Sequence, residues 1–495
     1  MTDYFDTQDP GELKDRSVSG TGYQFVGKLV SAVVGVVATA VLARALDPEA
    51  FGLTAMAFAI VGLVGIFSNL SLKTAIVQRK ELRREQVSSV FWLNSMFAVL
   101  LTGICIGLAP VGAWFYEDGR IFGIIAVSAI QFILSALHVP HLALLERNLL
   151  FRKVTISNVL GVVIAQGAAI GMAWDGFGYW SLVVGPLVGQ AFTTIYLWMA
   201  CSWRPGGLTI DDHVKSMLAF GANLSLSSLA SFLNRNTDDF LLGRWAGASA
   251  LGLYNRAYKI FTYPMNFLFQ PMSSVAIPIL SRIQDKPDTY RSTYLRILSL
   301  LLAGTAAAGA LLVGASDFIV AILLGPKWAE AAPILAVLGV GVIFQPLGKT
   351  SSWIFVSQNR TDEAMKFALF ISTPVTVSSF VIGLPWGVMG VAIAYITFAT
   401  LVRLPASIWM THRRGPTSAR RVLRQAAPFL LNACISLGLL LALRRFVHFD
   451  SAVVGLAVCG LATALTYGAG IIAFEKTRET AIDGYELIRD HLTGE

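Results

Sequence analysis

Apolar runs of about 20 residues recur along the whole chain, and they constrain its fold more than any other feature. A helix of that length crosses roughly 30 Å of hydrocarbon. The sequence predicts about 14 such spans, which excludes an ordinary soluble fold. Composition agrees, because 55% of the 495 residues are apolar, 14% are charged and the mean hydropathy is +0.64. We therefore predict an all-α, polytopic integral membrane protein.

Loop charge predicts the orientation of these spans. Lys and Arg concentrate in the links that follow even-numbered spans, and few follow odd-numbered ones. The positive-inside rule then places both termini in the cytoplasm. Met1–Arg16 is polar and lacks the apolar core of a signal peptide, so we expect the first span to be retained. The predicted spans lie near residues 20–46, 51–70, 87–114, 121–144, 154–174, 178–201, 217–242, 253–280, 294–323, 332–356, 364–384, 387–410, 426–443 and 452–474.

A pattern that occurs twice predicts two related lobes. The motif R-x5-A-x-G-L runs from Arg44 to Leu53 and again from Arg244 to Leu253, a shift of 200 residues without a gap. Internal repeats are a recurring architecture of transporters, in which the substrate path lies between the halves. The predicted organisation is a cytoplasmic tail (1–16), an N-lobe (17–203), a C-lobe (204–412), a basic linker with two further helices (413–474) and a cytoplasmic amphipathic tail (475–495).

Six Lys and Arg residues lie inside the apolar spans. Ionised groups facing lipid cost roughly 2.5–3.5 kcal/mol each on insertion scales. A water-filled cationic cavity between the lobes avoids this cost and attracts anions, and the planar fork of Arg suits phosphate. For each residue alone, the alternative is a structural ion pair or a side chain that reaches the membrane surface. The predicted substrate-binding residues are Lys28, Arg235, Arg256, Lys259, Lys349 and Arg403.

Two acidic residues accompany one of these cations. Asp238 and Asp239 either neutralise Arg235 and Arg244 or carry a proton or sodium ion during the cycle, and we favour the structural pairing. His138 and His141 are separated by a proline with no carboxylate or cysteine nearby, which favours a polar patch over a metal site. We expect no catalytic residue, no metal and no cofactor. The net charge of +8 is spread over short loops, so we expect no nucleic-acid partner.

Four segments together form a family-like pattern. They are LDPEAFG at 46–52, TAIVQ at 74–78, the stretch 236–258 with its Asn-x-Asp and Gly-Arg pairs, and PILSR at 278–282. The combination resembles the polysaccharide transporter family, the Wzx-type lipid-linked oligosaccharide flippases of the MATE/MOP superfamily, near the colanic-acid exporter branch. The resemblance covers about residues 17 to 410.

The resemblance implies the MOP flippase fold, with two six-helix lobes that alternate between inward- and outward-open states, and here two extra C-terminal helices. It implies a polyprenyl-diphosphate-linked oligosaccharide as substrate, in the bacterial inner membrane. Membrane lipids and polysaccharide polymerase or export machinery are the implied partners. We thus expect a flippase and not an enzyme.

Two alternatives are weighed against this function. A drug exporter of the same superfamily would need acidic residues to dominate its cavity, whereas buried cations outnumber acids here. A membrane polysaccharide polymerase or ligase would need a long extracytoplasmic loop for its catalytic groups. Every link after an odd-numbered span is short, which disfavours an enzyme.

Overall fold

In the computed structural model, the described part of the chain is helical and contains no strand. The structure describes residues 10–68, 73, 76–77, 82–209 and 212–473, with side chains except at 10–19, 21, 212–231, 233–235 and 471. The predicted all-α class is confirmed. The predicted C-terminal tail at 475–495 lies outside the described residues, and the first helix already begins at Pro10, inside the predicted N-terminal tail.

The chain divides into two compact units, Met1–Gly252 and Leu253–Glu495. The helices that begin in the first unit are α1 (Pro10–Ala45), α2 (Pro48–Gly65), α3 (Arg84–Tyr116), α4 (Arg120–Ser128), α5 (Ile130–Arg147), α6 (Phe151–Trp174), α7 (Trp180–Ala200) and α8 (Asp212–Arg282). Those of the second are α9 (Pro287–Gly314), α10 (Ser316–Leu323), α11 (Ala331–Lys349), α12 (Ser351–Ser357), α13 (Thr361–Phe367), α14 (Thr373–Gly383), α15 (Gly387–Phe398), α16 (Leu404–His412), α17 (Ala419–Phe446) and α18 (Ala452–Ala473).

Eleven helical segments in the described ranges are long and apolar enough to cross a membrane, so this is a multi-pass membrane protein. One of them, Thr361–His412, contains two predicted spans joined by a 3₁₀ turn at Leu384–Trp386. α8 contains two more and is interrupted at Gly247, whose φ of +84° is readily adopted only by glycine. The count of fourteen spans stays a prediction.

The two copies of the repeated motif pack closely against each other within the first unit. A Cβ atom at Gly52 would overlap the carbonyl oxygen of Ala248, and one at Gly252 would overlap that of Pro48. Residues 48 and 248, and 52 and 252, are related by the same shift of 200. The contacts are therefore reciprocal, as expected when equivalent surfaces of a repeat meet across a local pseudo-twofold axis.

The connection after α7 is bound to the first unit. The indole nitrogen of Trp92 donates to the carbonyl of Gly206 at 2.8 Å, and the amide of Thr209 donates to the Ser89 hydroxyl at 2.9 Å. These bonds and the packing of the second motif copy explain why the first compact unit ends at Gly252 and not near residue 203, where the sequence predicted the end of the N-lobe. The lobe boundaries predicted from helix order stay a prediction.

Small residues set the packing of α6 on α7. A Cβ atom at Gly189 would lie 2.5 Å from the carbonyl oxygen of Gly161, and one at Gly185 would lie 2.8 Å from that of Ala165. Glycines spaced four apart let two helix backbones approach closely, and dispersion contacts then hold them together in lipid. The two helices form a tight antiparallel pair.

The ninth predicted span (294–323) is interrupted in the structure. α9 ends at Gly314, and a break at Ala315 separates it from α10. Arg444 of α17 binds across this break, donating to Gly314 O at 2.9 Å and to an Asp317 carboxylate oxygen at 2.5 Å. It also lies over the Phe318 ring at 5.0 Å. The break thus provides a docking point for the last two helices.

Replacing Arg444 with methionine should lower the stability of the folded protein by about 1–2 kcal/mol, because one charge-assisted and one backbone hydrogen bond are lost at a partly exposed site. We expect a lower Tm for the purified variant. Arg445→Met is the matched control, since Arg445 is the exposed neighbour on the same helix. Equal midpoints for both variants would show that the contact does not stabilise the fold.

Candidate anion-binding site

Two of the predicted cations lie together in the second unit. Lys349 is the last residue of α11, and Arg403 ends a π-helical segment, Ala399–Arg403, between α15 and α16. The charge of Arg403 lies within electrostatic range of Lys349. The Lys349 side chain is exposed in the structure.

Both residues lie deep in the membrane-spanning segments. Lys349 precedes the end of its segment at Ser357 by eight residues, and Arg403 precedes His412 by nine. A rise of 1.5 Å per residue places each about 12–14 Å from that end. Both residues therefore lie inside their apolar segments and not at the ends.

Aromatic rings support both cations. The Lys349 ammonium lies 5.8 Å from the Phe269 ring centre, and the Arg403 guanidinium lies 5.7 Å from that of Tyr395. Tyr395 is in turn stacked on Phe380 at 5.5 Å. We call Lys349, Arg403, Phe269, Tyr395 and Thr376 the cationic cluster. Cation–π contacts retain the positive charge and leave the ammonium and guanidinium donors available.

No ion pair to Lys349 or Arg403 is formed within the described part of the chain. Two like charges within electrostatic range of each other inside apolar segments are costly unless water or an anion compensates them. Where the same unit uses Arg structurally, a carboxylate is present: Arg360 binds Glu363 at 2.9 Å, and Arg444 binds Asp317. The cationic cluster therefore has the electrostatics of an anion-binding site.

Polar residues that the sequence argument did not single out complete this region. Thr376 of α14 accepts a hydrogen bond from Arg403 at 3.2 Å. Gln345 lies one turn before Lys349 on α11, and its side-chain nitrogen is buried without a partner among the described residues. The i, i+4 spacing of Gln345 and Lys349 was visible in the sequence. Nothing in the sequence indicated Thr376, because its contact with Arg403 depends on how two helices pack against each other.

The structure also pairs Arg256 with Lys259 on α8. Arg256 is half-buried, Lys259 is exposed, and each is within electrostatic range of the other. Tyr258 lies between them in sequence, and its ring centre is 6.2 Å from that of Tyr395. These contacts connect α8 to the cationic cluster through aromatic rings.

The remaining predicted site residues lie in the first unit. Lys28 is exposed on α1 within a membrane-spanning segment. Arg235 belongs to α8, but its side chain lies outside the described residues. Asp238 is buried, and its carboxylate accepts a hydrogen bond from the amide of half-buried Asp239 at 3.1 Å. The meeting of all six cations in one cavity stays a prediction.

Arg244 binds a partner that is distant in sequence. It donates to Glu117 at 2.7 Å. Next to Glu117, Arg120 binds both Asp118, at 2.7 Å, and Glu49, at 2.6 Å. The hydrogen bond from Arg120 holds the pKa of Asp118 below its usual range. This polar network joins the first turn of α2 and the loop after α3 to α8, which indicates a structural role for Arg244.

The two predicted histidines are packing residues. The His141 ring lies 4.6 Å from the Trp198 ring and 5.1 Å from that of Trp203. His138 contacts the Leu134 carbonyl oxygen at 2.8 Å and the Thr194 hydroxyl at 3.1 Å. Among the described residues, no three His, Cys, Asp or Glu side chains form a group that could hold a metal ion.

Sequence comparisons identify relatives over most of the chain. A family model described as "polysaccharide biosynthesis protein" matches residues 41–333. The lipopolysaccharide biosynthesis protein WzxC of Escherichia coli K12 is 25% identical over 78% of this chain and 78% of its own. The teichuronic acid biosynthesis protein TuaB of Bacillus subtilis 168 is 27% identical over 60% of this chain and 62% of its own.

Solved structures share the fold at lower sequence identity. The lipid II flippase MurJ, in an inward closed conformation, aligns with a TM-score of 0.73 over 94% of this chain and 99% of its own, at 15% identity. An inward-facing multidrug resistance MATE family transporter of the MOP superfamily aligns with a TM-score of 0.61 over 80% and 96%, at 13% identity. At these identities the likeness shows the fold alone.

Proposed function

The chain belongs to the polysaccharide biosynthesis protein family, and from this premise we propose that it is a flippase for a lipid-linked oligosaccharide. It moves a polyprenyl-diphosphate glycan from the cytoplasmic to the outer leaflet of the bacterial inner membrane, with both of its own termini in the cytoplasm. Two observations support this proposal: relatives named for the biosynthesis of surface polysaccharides, and the fold shared with a lipid II flippase. Capsule, exopolysaccharide or lipopolysaccharide synthesis would consume the product.

One observation carries the mechanism: Lys349 and Arg403 lie within electrostatic range of each other inside apolar helical segments, and neither forms an ion pair with a carboxylate among the described residues. A diphosphate brings about two negative charges, which the bidentate fork of Arg and the ammonium of Lys can bind together. Moving two negative charges outward across an inside-negative membrane gains roughly 2.3 kcal/mol per charge per 100 mV. The membrane potential thus favours export.

The other predicted residues take assigned roles in this mechanism. Arg256, Lys259, Arg235 and Lys28 extend the cationic path along which the head group passes, while the lipid tail stays in the bilayer. Asp238 and Asp239 balance charge in the first unit. Polysaccharide polymerase or export machinery is the proposed protein partner downstream.

Two other functions have less support. A drug or cation exporter shares the fold, but the pair Lys349 and Arg403 would repel a cationic substrate. A polymerase or ligase needs catalytic groups outside the membrane. The polar network around Arg120 consists of satisfied ion pairs at helix ends, which supports a structural role there instead.

The proposal predicts where substrate accumulates when the gene is deleted from its native host. We expect lipid-linked oligosaccharide to collect on the cytoplasmic leaflet and surface polysaccharide to be lost. The wild type and Arg445→Ala should restore export, while Arg403→Ala, Lys349→Ala and Arg235→Ala should reduce it by tenfold or more. Leaflet location is measured by labelling the glycan with a membrane-impermeant reagent.

Accumulation on the outer leaflet would contradict a flippase and bring the enzyme forward. Normal rescue by all three variants, at wild-type protein levels, would keep the flippase and remove these cations from the substrate path. Rescue by Arg235→Ala alone would confine the anion site to the second unit.

A further inference from the structure

Two π-helical segments occur in neighbouring helices of the second unit. Ala368–Ser372 interrupts the helix formed by α13 and α14, and Ala399–Arg403 interrupts the one formed by α15 and α16. The two helices form an antiparallel hairpin, and near its turn Gly383 and Gly390 bring the backbones into direct contact. Single π turns within α-helices are rare and are found mainly at functional sites.

The second π-helical segment determines where the Arg403 side chain points. A π turn contains one residue more than an α turn, so it shifts the following side chains by about 100°, the angular step of one residue. Arg403 is the last residue of this segment, and its guanidinium donates to the Thr376 hydroxyl at 3.2 Å and lies over the Tyr395 ring at 5.7 Å. Thr376 is 6% exposed, so its hydroxyl competes little with water for this bond.

We propose that Thr376 is a positioning residue that holds the Arg403 guanidinium toward Lys349 for anion binding. Thr376 accepts one of the five guanidinium donors, and Tyr395 supports the planar face. Four donors then remain for an anion such as a diphosphate. This inference rests on the proposed function, because it assigns a further residue to the same site.

The arrangement reduces the cost of binding. An Arg side chain loses rotamer entropy when it is fixed in one geometry. The hydrogen bond from Arg403 and the ring of Tyr395 incur part of that cost before the anion arrives, so the bound geometry is preorganised. Thr376 therefore contributes to affinity without touching the substrate.

The test measures binding of inorganic pyrophosphate to the full-length protein in lipid nanodiscs. Thr376→Val keeps the shape of the side chain but removes the acceptor, and we expect the Kd to rise about tenfold. Thr376→Ser keeps the hydroxyl and should bind within about twofold of the wild type. The control is Ser379→Ala, since the hydroxyl of buried Ser379 donates within its own helix, to the Thr376 carbonyl at 2.7 Å.

A double variant separates positioning from loss of folding. If Thr376 acts through Arg403, then Thr376→Val should have no further effect on Kd in an Arg403→Gln background. Additive losses, or equal losses in the Val and Ser variants, would overturn the positioning role. If Arg403→Gln weakens binding and Thr376→Val does not, this inference fails while the anion site stands. If neither variant changes the Kd, the anion site itself is wrong.

Discussion

Alanine at Gly52 or Gly252 should reduce export between about fivefold and 150-fold, although it adds only one carbon atom. At both positions the added Cβ overlaps a main-chain carbonyl oxygen, of Ala248 or of Pro48, and a carbonyl cannot rotate away as a side chain can. Overpacking of this kind costs typically 1–3 kcal/mol. The cost applies to any state in which the two motif copies touch and is absent where they separate. A transporter that must visit both states loses one of them.

The double variant gives the sharper result. Because the two overlaps are reciprocal, one separation of the backbones relieves both, and the double substitution should cost less than the sum of the single ones. Gly107→Ala is the matched control, since nothing lies within 4 Å of its added Cβ. Export is measured as surface polysaccharide in the complemented deletion strain. Hydrogen exchange at 48–52 and 248–252 should increase in both single variants. Normal export with unchanged exchange would show that the close approach is unimportant.

Much of the architecture could be predicted from the hydropathy pattern and from the repeated motif. Apolar runs predict membrane helices whatever the packing, because every backbone polar group in lipid must be satisfied within the segment. The all-α class and the MOP fold are confirmed by the structure and its neighbours. The shift of 200 residues gives Gly52 and Gly252 equivalent positions in the two copies, and the structure adds that the copies meet there.

The charged residues of the candidate site could be predicted from the sequence, but the side chains that contact them could not. A cation inside an apolar run is visible in the sequence, so Lys349 and Arg403 could be named. A π turn is invisible to a hydropathy window of about 20 residues, and it changes which neighbours Arg403 can reach. The partner of Thr376 therefore had to come from the structure.

One ion pair was not visible from proximity in the chain. The structure places Glu117 at 2.7 Å from Arg244, because the loop after α3 reaches this region of α8. The pairing of Asp238 and Asp239 with Arg235 and Arg244 stays a prediction. Lys28 shows the related difficulty, since a periodic apolar helix does not reveal which of its faces meets water.

Neutralising the cationic cluster should raise stability and abolish export at the same time. In Lys349→Gln with Arg403→Gln, the repulsion between two like charges disappears, and so does their desolvation inside the apolar segments. Insertion costs of roughly 2.5–3.5 kcal/mol per charge set the upper limit. Since the Lys349 side chain is exposed, we expect a smaller gain of about 1–2 kcal/mol for the folded protein and a higher Tm. Charge-assisted contacts to the diphosphate are lost, at about 1.5–3 kcal/mol each, so export should fall more than 100-fold.

The changes in Tm and in export together distinguish a structural cation from a ligand-binding one. Neutralising a structural cation lowers the stability of the protein, as expected for Arg444, because its carboxylate partner would be left without a counter-charge. Neutralising a ligand-binding cation raises the stability of the protein, because the unpaired charge destabilises the fold until the ligand binds. A Tm that falls in the double variant as it does in Arg444→Met would therefore assign Lys349 and Arg403 to the scaffold. A Tm that rises while export disappears would assign them to the anion, since no packing defect produces both effects.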